Sequence, residues 1–207
     1  MKQSKSSKAW MRERLTDQYV KRAQAEGYRS RAAYKLQQIA ARDKLFRPGM
    51  TVVDVGAAPG GWSQIAAQAV APGGQVIALD VLNMPSIAGV SFVRGDLREE
   101  TSVAEIERLL MGRPVDLVLS DMAPNISGIA SADQARCVGL AELALDFAVN
   151  HLKPRGNFLV KVFQGAGFDE FLKTMRRRFR RVVIRKPEAS RSRSSEVYLL
   201  GKGLRRA

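Results

Sequence analysis

From residue 51 onward the sequence alternates short apolar runs with amphipathic segments, and this alternation constrains the fold more than any other feature. Seven strands are predicted, at 51–55, 75–79, 91–93, 115–119, 157–162, 182–184 and 196–200. Helices are predicted between them, at 61–70, 102–111, 133–152 and 167–178. Each parallel connection needs a crossover, so this order predicts an α/β, Rossmann-like fold with a mostly parallel sheet and helices on both faces.

The connection between the last two predicted strands is different. Residues 185–195 have no helical pattern, so we expect a hairpin and hence one antiparallel strand in the sheet. Before the first strand, Ser30 is expected to cap a helix that has apolar residues at helical spacing and carries Lys35. No linker divides the chain, which predicts a single domain over 1–207 with a basic segment at about 1–29.

The charge balance indicates a polyanionic partner. Thirty-four basic and twenty acidic residues give a net charge of +14, and the basic residues concentrate at 2–31, 176–181 and 185–193. Contacts to phosphate need charge but no base-specific geometry, so these runs are expected to form one RNA-binding face. The alternative is three solvated runs on different faces. A membrane surface is a weaker candidate partner.

Several classes of protein are disfavoured. One cysteine and one histidine exclude an intramolecular disulfide and argue against a zinc site, so we expect no metal. No apolar run approaches the roughly 20 residues of a membrane span. The first ten residues are basic and serine-rich without the apolar core of a secretory signal. A cytoplasmic monomer is expected.

The first predicted strand runs into a loop rich in small residues, DVGAAPGGWSQ at 54–64. Small residues at the carboxyl end of a strand let a ligand approach the backbone closely. Ala58 and Pro59 break the glycine spacing of a pyrophosphate-binding loop, which disfavours a nicotinamide-dependent oxidoreductase. Trp62 is expected either to cover a cofactor or to belong to the core.

Acidic residues end the next two predicted strands. Asp80 can accept both hydroxyls of a ribose, and Asp96 can reach an adenine amine. Either acid alone is usually a turn residue. A glycine loop followed by two such acids instead favours a nucleoside cofactor at this edge of the sheet.

Four segments carry a specific resemblance: 54–64, 120–125 (SDMAPN), 160–165 (VKVFQG) and 185–198 (RKPEASRSRSSEVY). They resemble the FtsJ/RrmJ family of RNA ribose methyltransferases from about residue 10 to residue 200. The resemblance implies S-adenosyl-L-methionine as cofactor, bound by Gly56, Gly60, Gly61, Trp62, Asp80, Asp96 and Asp121. It implies methylation of a uridine 2′-hydroxyl in 23S ribosomal RNA of the large ribosomal subunit. A transfer RNA or messenger cap substrate, or a non-catalytic role in ribosome assembly, stays as an alternative.

The reacting group is expected to comprise Lys35, Asp121, Lys161 and Glu196, which match the family's catalytic tetrad. Lys161 is unusual on its own, because it interrupts the apolar strand FLVKVF and a buried unpaired charge is costly. It is the candidate base, made neutral by burial and by Lys35 nearby. If it stays protonated, it would stabilise the forming alkoxide instead. Asp121 would orient Lys161, Glu196 would position Lys35 or the ribose, and Lys35 would hold the hydroxyl or the adjoining phosphate.

Two further residues are expected to be structural. Cys137 is interpreted as a small core residue, and His151 is expected to close its helix by binding carbonyl groups.

Overall fold

The computed structural model describes residues 17–205. Its helices are α1 (Gln18–Ala25), α2 (Ala32–Asp43), α3 (Gly61–Val70), α4 (Glu100–Leu110), α5 (Ala130–His151) and α6 (Phe168–Arg178). Its strands are β1 (Thr51–Val55), β2 (Gln75–Asp80), β3 (Val90–Arg94), β4 (Val115–Ser120), β5 (Leu152–Phe163), β6 (Phe179–Arg185) and β7 (Glu196–Leu204). Within this part of the chain no helix is both long enough and apolar enough to cross a membrane.

The strands form one seven-stranded sheet in the order β3-β2-β1-β4-β5-β7-β6. All pairings are parallel except those of β7, which runs antiparallel to both β5 and β6. The predicted α/β fold with one antiparallel strand is therefore confirmed. The strand order reverses between β1 and β4, and open sheets of this type bind ligands at the carboxyl ends of the strands at such a point.

The core lies on both faces of the sheet. Alternate residues of β1 point to opposite sides, so Val53 and Val55 pack in one apolar cluster and Val52 in the other. The first cluster joins the sheet to α4, α5 and α6, and the second joins it to α2 and α3. Strands buried on both faces explain why the sequence shows continuous apolar runs there.

The start of the chain departs from the prediction in two ways. Helix α1 was not predicted, because it has only eight residues and Ala23 is its only buried one. Ser30 does not cap α2: the residue before that helix is Arg31, whose side chain makes no capping hydrogen bond. The Ser30 hydroxyl instead packs against the start of α3, where a Cβ added to Gly61 would lie 2.5 Å from its Oγ.

The basic runs do not form one face. In the β5–β7–β6 pairing, Arg185 is level with Tyr198 and Lys161, whereas Phe179 is level with Leu204 at the other end of the sheet. The run 176–181 therefore lies at the amino ends of the parallel strands, and 185–193 lies near their carboxyl ends. Half of the first run, 2–16, is outside the described residues.

Candidate active site

Four side chains predicted to act together meet in two ion pairs at the carboxyl edge of the sheet. The Lys161 ammonium nitrogen lies 2.6 Å from the backbone carbonyl oxygen of Asp121 and 3.1 Å from its carboxylate Oδ1. The Lys35 ammonium nitrogen lies 2.7 Å from Oε1 and 2.9 Å from Oε2 of Glu196. Each lysine thus has its own carboxylate, rather than facing the other lysine directly.

The sheet register brings these residues together. Asp121 directly follows β4, whose last residue pairs with Val160, so Asp121 is level with Lys161. Lys161 pairs in turn with Tyr198, two residues after Glu196. Residues far apart in sequence therefore converge because three neighbouring strands present them at one height.

Both lysines of these ion pairs are largely buried. The side chain of Lys161 is 8% exposed, and that of Lys35 is 13% exposed. A charge this far from water is tolerated only when it is paired and hydrogen-bonded. The partners explain how a lysine can interrupt the apolar strand β5, and the residual exposure leaves room for a polar group to approach.

A buried phenol joins the two ion pairs. The Tyr198 hydroxyl lies 3.1 Å from Oδ1 of Asp121 and 3.2 Å from Oε1 of Glu196. Burial, followed by the negative charges of these two carboxylates, raises the pKa of Tyr198 well above its usual value, so the phenol remains a donor. The Tyr198 ring packs 5.7 Å from that of Trp62.

Glu196 is held in its charged form. Burial acts to raise the pKa of this carboxyl, but the Lys35 charge and the hydrogen bonds from Lys35 and Ser190 outweigh it and lower the pKa below the ordinary value. Ser190 donates from its hydroxyl to Oε1 at 2.9 Å. The carboxylate is therefore fixed from two sides and can hold Lys35 in place.

The glycine loop lies beside these pairs at the end of β1. Gly56 has φ +76°, and a Cβ added there would lie 2.2 Å from Cγ of Met122, on the segment that follows Asp121. Gly60 has φ +105° at the start of α3. These positions require glycine, because any side chain would collide or strain the backbone. The glycines therefore let the loop pack closely against its neighbours Met122, Ile87 and Arg29.

Trp62 belongs to the core rather than to the open edge. It is 3% exposed, and its indole nitrogen donates to the carbonyl of Ala32 at 2.8 Å. The sequence left open whether Trp62 covers a cofactor or belongs to the core, and in the structure it belongs to the core. The ring supports the packing of α2 on α3.

Of the two predicted nucleoside-binding acids, Asp80 is the last residue of β2, and Asp96 lies two residues after the end of β3. Asp80 accepts from the backbone N–H of Ala58 and of Leu82, both at 2.8 Å, which leaves two of its roughly four acceptor positions open. Asp96 accepts from the backbone and guanidinium of Arg98, whose hydrogen bonds lower the pKa of this carboxyl. Asp80 is thus the freer acceptor of the two.

Sequence reasoning missed a buried acid beneath the loop. Asp54, in β1, is fully buried; its Oδ2 accepts from the Ser63 hydroxyl at 2.6 Å, and its Oδ1 has no hydrogen-bond partner in the described structure. Burial, with smaller contributions from the charges of Asp121 and Asp80, raises its pKa to about 7. The signal was present, because this aspartate interrupts an apolar strand as Lys161 does.

A second missed residue clamps the loop from outside. The Arg29 guanidinium donates to the carbonyl oxygens of Pro85 at 2.6 Å, Ser86 at 2.7 Å and Pro59 at 3.3 Å. These hydrogen bonds join the glycine loop, through Pro59, to the segment that follows Asp80, through Pro85 and Ser86. Arg29 was predicted to belong to the RNA-binding segment, but its donors are largely committed within the protein.

Replacing Arg29 by alanine is expected to weaken S-adenosylmethionine binding about tenfold, because two loops lose charge-assisted hydrogen bonds that fix their separation. Calorimetric titration of the cofactor into the Arg29→Ala variant checks this. Arg42→Ala, at an exposed position on α2, is the control and is expected to bind normally. Equal dissociation constants for the two variants would remove Arg29 from cofactor binding.

The residues at this edge fit the cofactor that the resemblance implies. Gly56 and Gly60 give the loop after β1 the tight backbone turns that a close ligand approach needs, and Asp80 keeps acceptor capacity for vicinal ribose hydroxyls. Leu82 is 65% exposed beside Asp80 and offers an apolar surface to an adenine ring. The unpartnered Oδ1 of Asp54 lies under the same loop.

Other candidate residues are structural. The ring nitrogens of His151 face the Phe147 carbonyl at 2.9 Å and the Glu107 carboxylate at 3.0 Å, so it closes α5 as predicted. Cys137 is half-buried rather than in the core, and burial raises its pKa. In residues 17–205 no group of three or more histidine, cysteine or acidic side chains is arranged to hold a metal ion.

Comparisons with known proteins agree with this architecture. A model of the FtsJ-like methyltransferases matches residues 28–204. A Nitrosospira multiformis protein named ribosomal RNA large subunit methyltransferase E is 60% identical over 99% of this chain and 100% of its own length. A protein of the same name from Azoarcus sp. is 62% identical with the same coverage.

Solved structures support the fold. A chain from Plasmodium falciparum described as a ribosomal RNA methyltransferase superposes with a TM-score of 0.78 at 24% identity. The match covers 86% of this chain and 98% of that one. The family model and the full-length relatives together establish that this chain belongs to the FtsJ-like methyltransferase family.

Proposed function

We propose that this methyltransferase uses S-adenosylmethionine to methylate the ribose 2′-hydroxyl of a uridine in 23S ribosomal RNA, on the assembled large subunit. The observation that carries the proposal is the buried Lys161–Asp121 pair, joined through Tyr198 to Lys35–Glu196 and placed beside the glycine loop. The names of the full-length relatives support ribosomal RNA as substrate.

The reaction is an in-line displacement. With the donor bound, the ribose oxygen would bond to the methyl carbon as the carbon–sulfur bond breaks, and the electron pair of that bond would stay with the sulfur. The bound cofactor supplies a methyl group on positively charged sulfur. What the protein must provide is alignment and a path for the hydroxyl proton.

The ion pairs divide this work. As a neutral amine Lys161 would take the hydroxyl proton, and as an ammonium it would instead stabilise the forming alkoxide while the proton leaves to water. In either role Asp121 orients its nitrogen through the contacts at 2.6 and 3.1 Å. Lys35, held by Glu196, binds the hydroxyl or the adjoining phosphate. Tyr198 keeps both carboxylates in register. None of these roles needs a metal ion.

Transfer of labelled methyl to RNA tests the proposal. The substrates are large subunits from a strain that lacks this chain, 23S ribosomal RNA extracted from those subunits, and transfer RNA. We expect label on the subunits, in a linkage that resists alkali and maps to one uridine, because 2′-O-methylation blocks hydrolysis at the modified nucleotide.

Each other outcome overturns a defined part of the proposal. Label on transfer RNA alone would keep the chemistry and change the substrate. Stronger labelling of extracted RNA than of subunits would contradict the assembled subunit as substrate. Cofactor binding without label on any of the three would favour a non-catalytic assembly factor.

A further inference from the structure

A second basic surface lies at the end of the sheet opposite the active site. It consists of side chains around the amino ends of β1, β4 and β5 and the adjoining ends of α6, β6 and β7. We call it the amino-end surface, and its members are Arg47, Arg113, Lys153, Arg155, Arg176, Arg177, Arg178, Arg180 and Arg205. All are exposed except Lys153, which is half-buried.

Its position follows from the strand register. Asp121 follows β4 at the catalytic edge, whereas Arg113 precedes Val115 at the other end of the same strand. Six residues of extended chain separate Asp121 from Val115, which is roughly 20 Å at about 3.3 Å per residue. A short nucleotide bound at Lys161 therefore cannot reach this surface.

One part of the surface is an open groove. Its volume is about 420 Å³, and Arg47, Arg113 and Lys153 line it together with Asp116. Asp116 forms an ion pair with Lys153 and also accepts from the backbone N–H of Thr51 at 2.8 Å. The one acid that lines the groove, Asp116, is thus already paired with Lys153. The positive charges of Arg47 and Arg113 are left uncompensated in the groove.

The other part is the arginine run at the end of α6. Arg176, Arg177 and Arg178 occupy the last turn of the helix, where positive charge is favoured by the helix dipole, and Arg180 lies on β6. No carboxylate within residues 17–205 forms an ion pair with these four arginines, nor with Arg47, Arg113 or Arg155. Seven guanidinium groups thus face solvent without a protein partner in the described structure.

We propose that the amino-end surface binds the phosphate backbone of a second segment of the RNA substrate, distant from the methyl acceptor. The inference rests on the proposed function, which supplies an RNA large enough to reach both ends of the sheet. Guanidinium groups suit phosphate because their fork of donors can bind two of its oxygens. Across β1 to β6 the surface extends over four strand spacings, or about 19 Å, enough for several phosphates.

An anionic membrane is a poorer fit to the same charge. A membrane-binding surface combines basic residues with apolar ones that enter the lipid. The large exposed apolar residues of the described chain are Val81, Leu82, Met111, Ile126, Ile129 and Ile184. Of these only Met111 is next to the amino-end surface, two residues before Arg113.

A charge-neutralising triple variant, R176Q/R177Q/R178Q, tests the surface. Its matched control, R42Q/R94Q/K173Q, removes three exposed positive charges outside the surface. Binding to extracted 23S ribosomal RNA is measured from 50 to 200 mM salt, together with methyl transfer to large subunits. We expect the test variant to bind RNA at least tenfold more weakly at 150 mM salt, with its log–log salt slope smaller by about 2. Adding R47Q and R113Q is expected to reduce both further.

The remaining readouts separate this site from the catalytic one. In the test variant we expect an unchanged dissociation constant for S-adenosylmethionine and an unchanged rate at saturating subunits, with a raised KM. If the test and control variants have equal RNA affinity and salt slope, the proposal is wrong. It is also wrong if the test variant loses binding only to phosphatidylglycerol vesicles. RNA binding is read without catalysis, so absence of methyl transfer by the unmodified protein would contradict the proposed function and leave this test intact.

Discussion

Replacing Lys161 by methionine is expected to lower the rate of methyl transfer roughly a thousand-fold while leaving S-adenosylmethionine binding within a few-fold of normal. General base catalysis contributes about 10² to 10⁴ in rate, and this lysine also stands closest to Asp121 at the reacting edge. Methionine keeps a similar length and apolar stem in β5 but cannot exchange a proton. Single-turnover methyl transfer and cofactor calorimetry measure the two quantities separately.

Lys173→Met provides the control, because it makes the same chemical change at an exposed position on α6. Full turnover by the Lys161 variant would exclude Lys161 from the mechanism. The dependence of the single-turnover rate on pH distinguishes its two candidate roles. A base must lose its proton before it acts, so the rate rises with pH, whereas a cationic stabiliser loses its effect as pH rises.

In the parent chain the free energy of unfolding is expected to fall by roughly 3 kcal/mol as the pH rises from 5 to 8, because of Asp54. Replacing Asp54 by asparagine is expected to remove this fall. The pKa of Asp54 is about 7 in the folded chain, against an ordinary value of 3.8. Between these values the folded state holds a proton that the unfolded state has released. Stability therefore falls by about 1.4 kcal/mol per pH unit as the pH rises, until Asp54 ionises near pH 7.

Urea unfolding of the parent chain and of Asp54→Asn at pH 5, 6, 7 and 8 checks this expectation. The difference in unfolding free energy between the two should shift in favour of the variant up to about pH 7 and then level off. Glu142→Gln, which removes an exposed carboxylate from α5, is expected to give a difference that stays constant. Parallel curves for the parent and Asp54→Asn would mean that Asp54 is ionised throughout.

The sheet could be predicted from the sequence because its strands are buried on both faces. Their apolar runs are continuous, and the helices between them force parallel pairing. The ends of the strands were harder to place. β6 begins at Phe179 rather than Val182, because pairing with β7 draws Arg180 and Arg181 into the strand although neither residue is apolar.

The charged residues of the site were found for two reasons. Lys161 was identified by its position inside an apolar strand, and its three partners by the family resemblance. The same criterion applied to Asp54 would have identified a second buried ionisable residue. The roles of all these residues stay predictions until variants are measured.

Contacts between segments far apart in the chain could not be predicted from the sequence. Arg29 lies 56 residues before Pro85, and nothing local marks the pair. The distribution of the basic runs was likewise decided by the antiparallel pairing of β6 with β7, which sends residues 176–181 away from the catalytic edge. Charge along a sequence indicates a polyanion but not the face on which it binds.

The single hydrogen of the Tyr198 phenol makes the two ion pairs thermodynamically coupled. Two carboxylate oxygens lie within reach of that hydroxyl, but it can donate to only one of them at a time. Removing one lysine takes away the positive charge beside the carboxylate that it pairs with. That carboxylate then competes differently for the shared hydrogen bond from Tyr198. The free-energy costs of substituting Lys35 and Lys161 are therefore not additive, because the two ion pairs respond to a substitution as one cooperative unit.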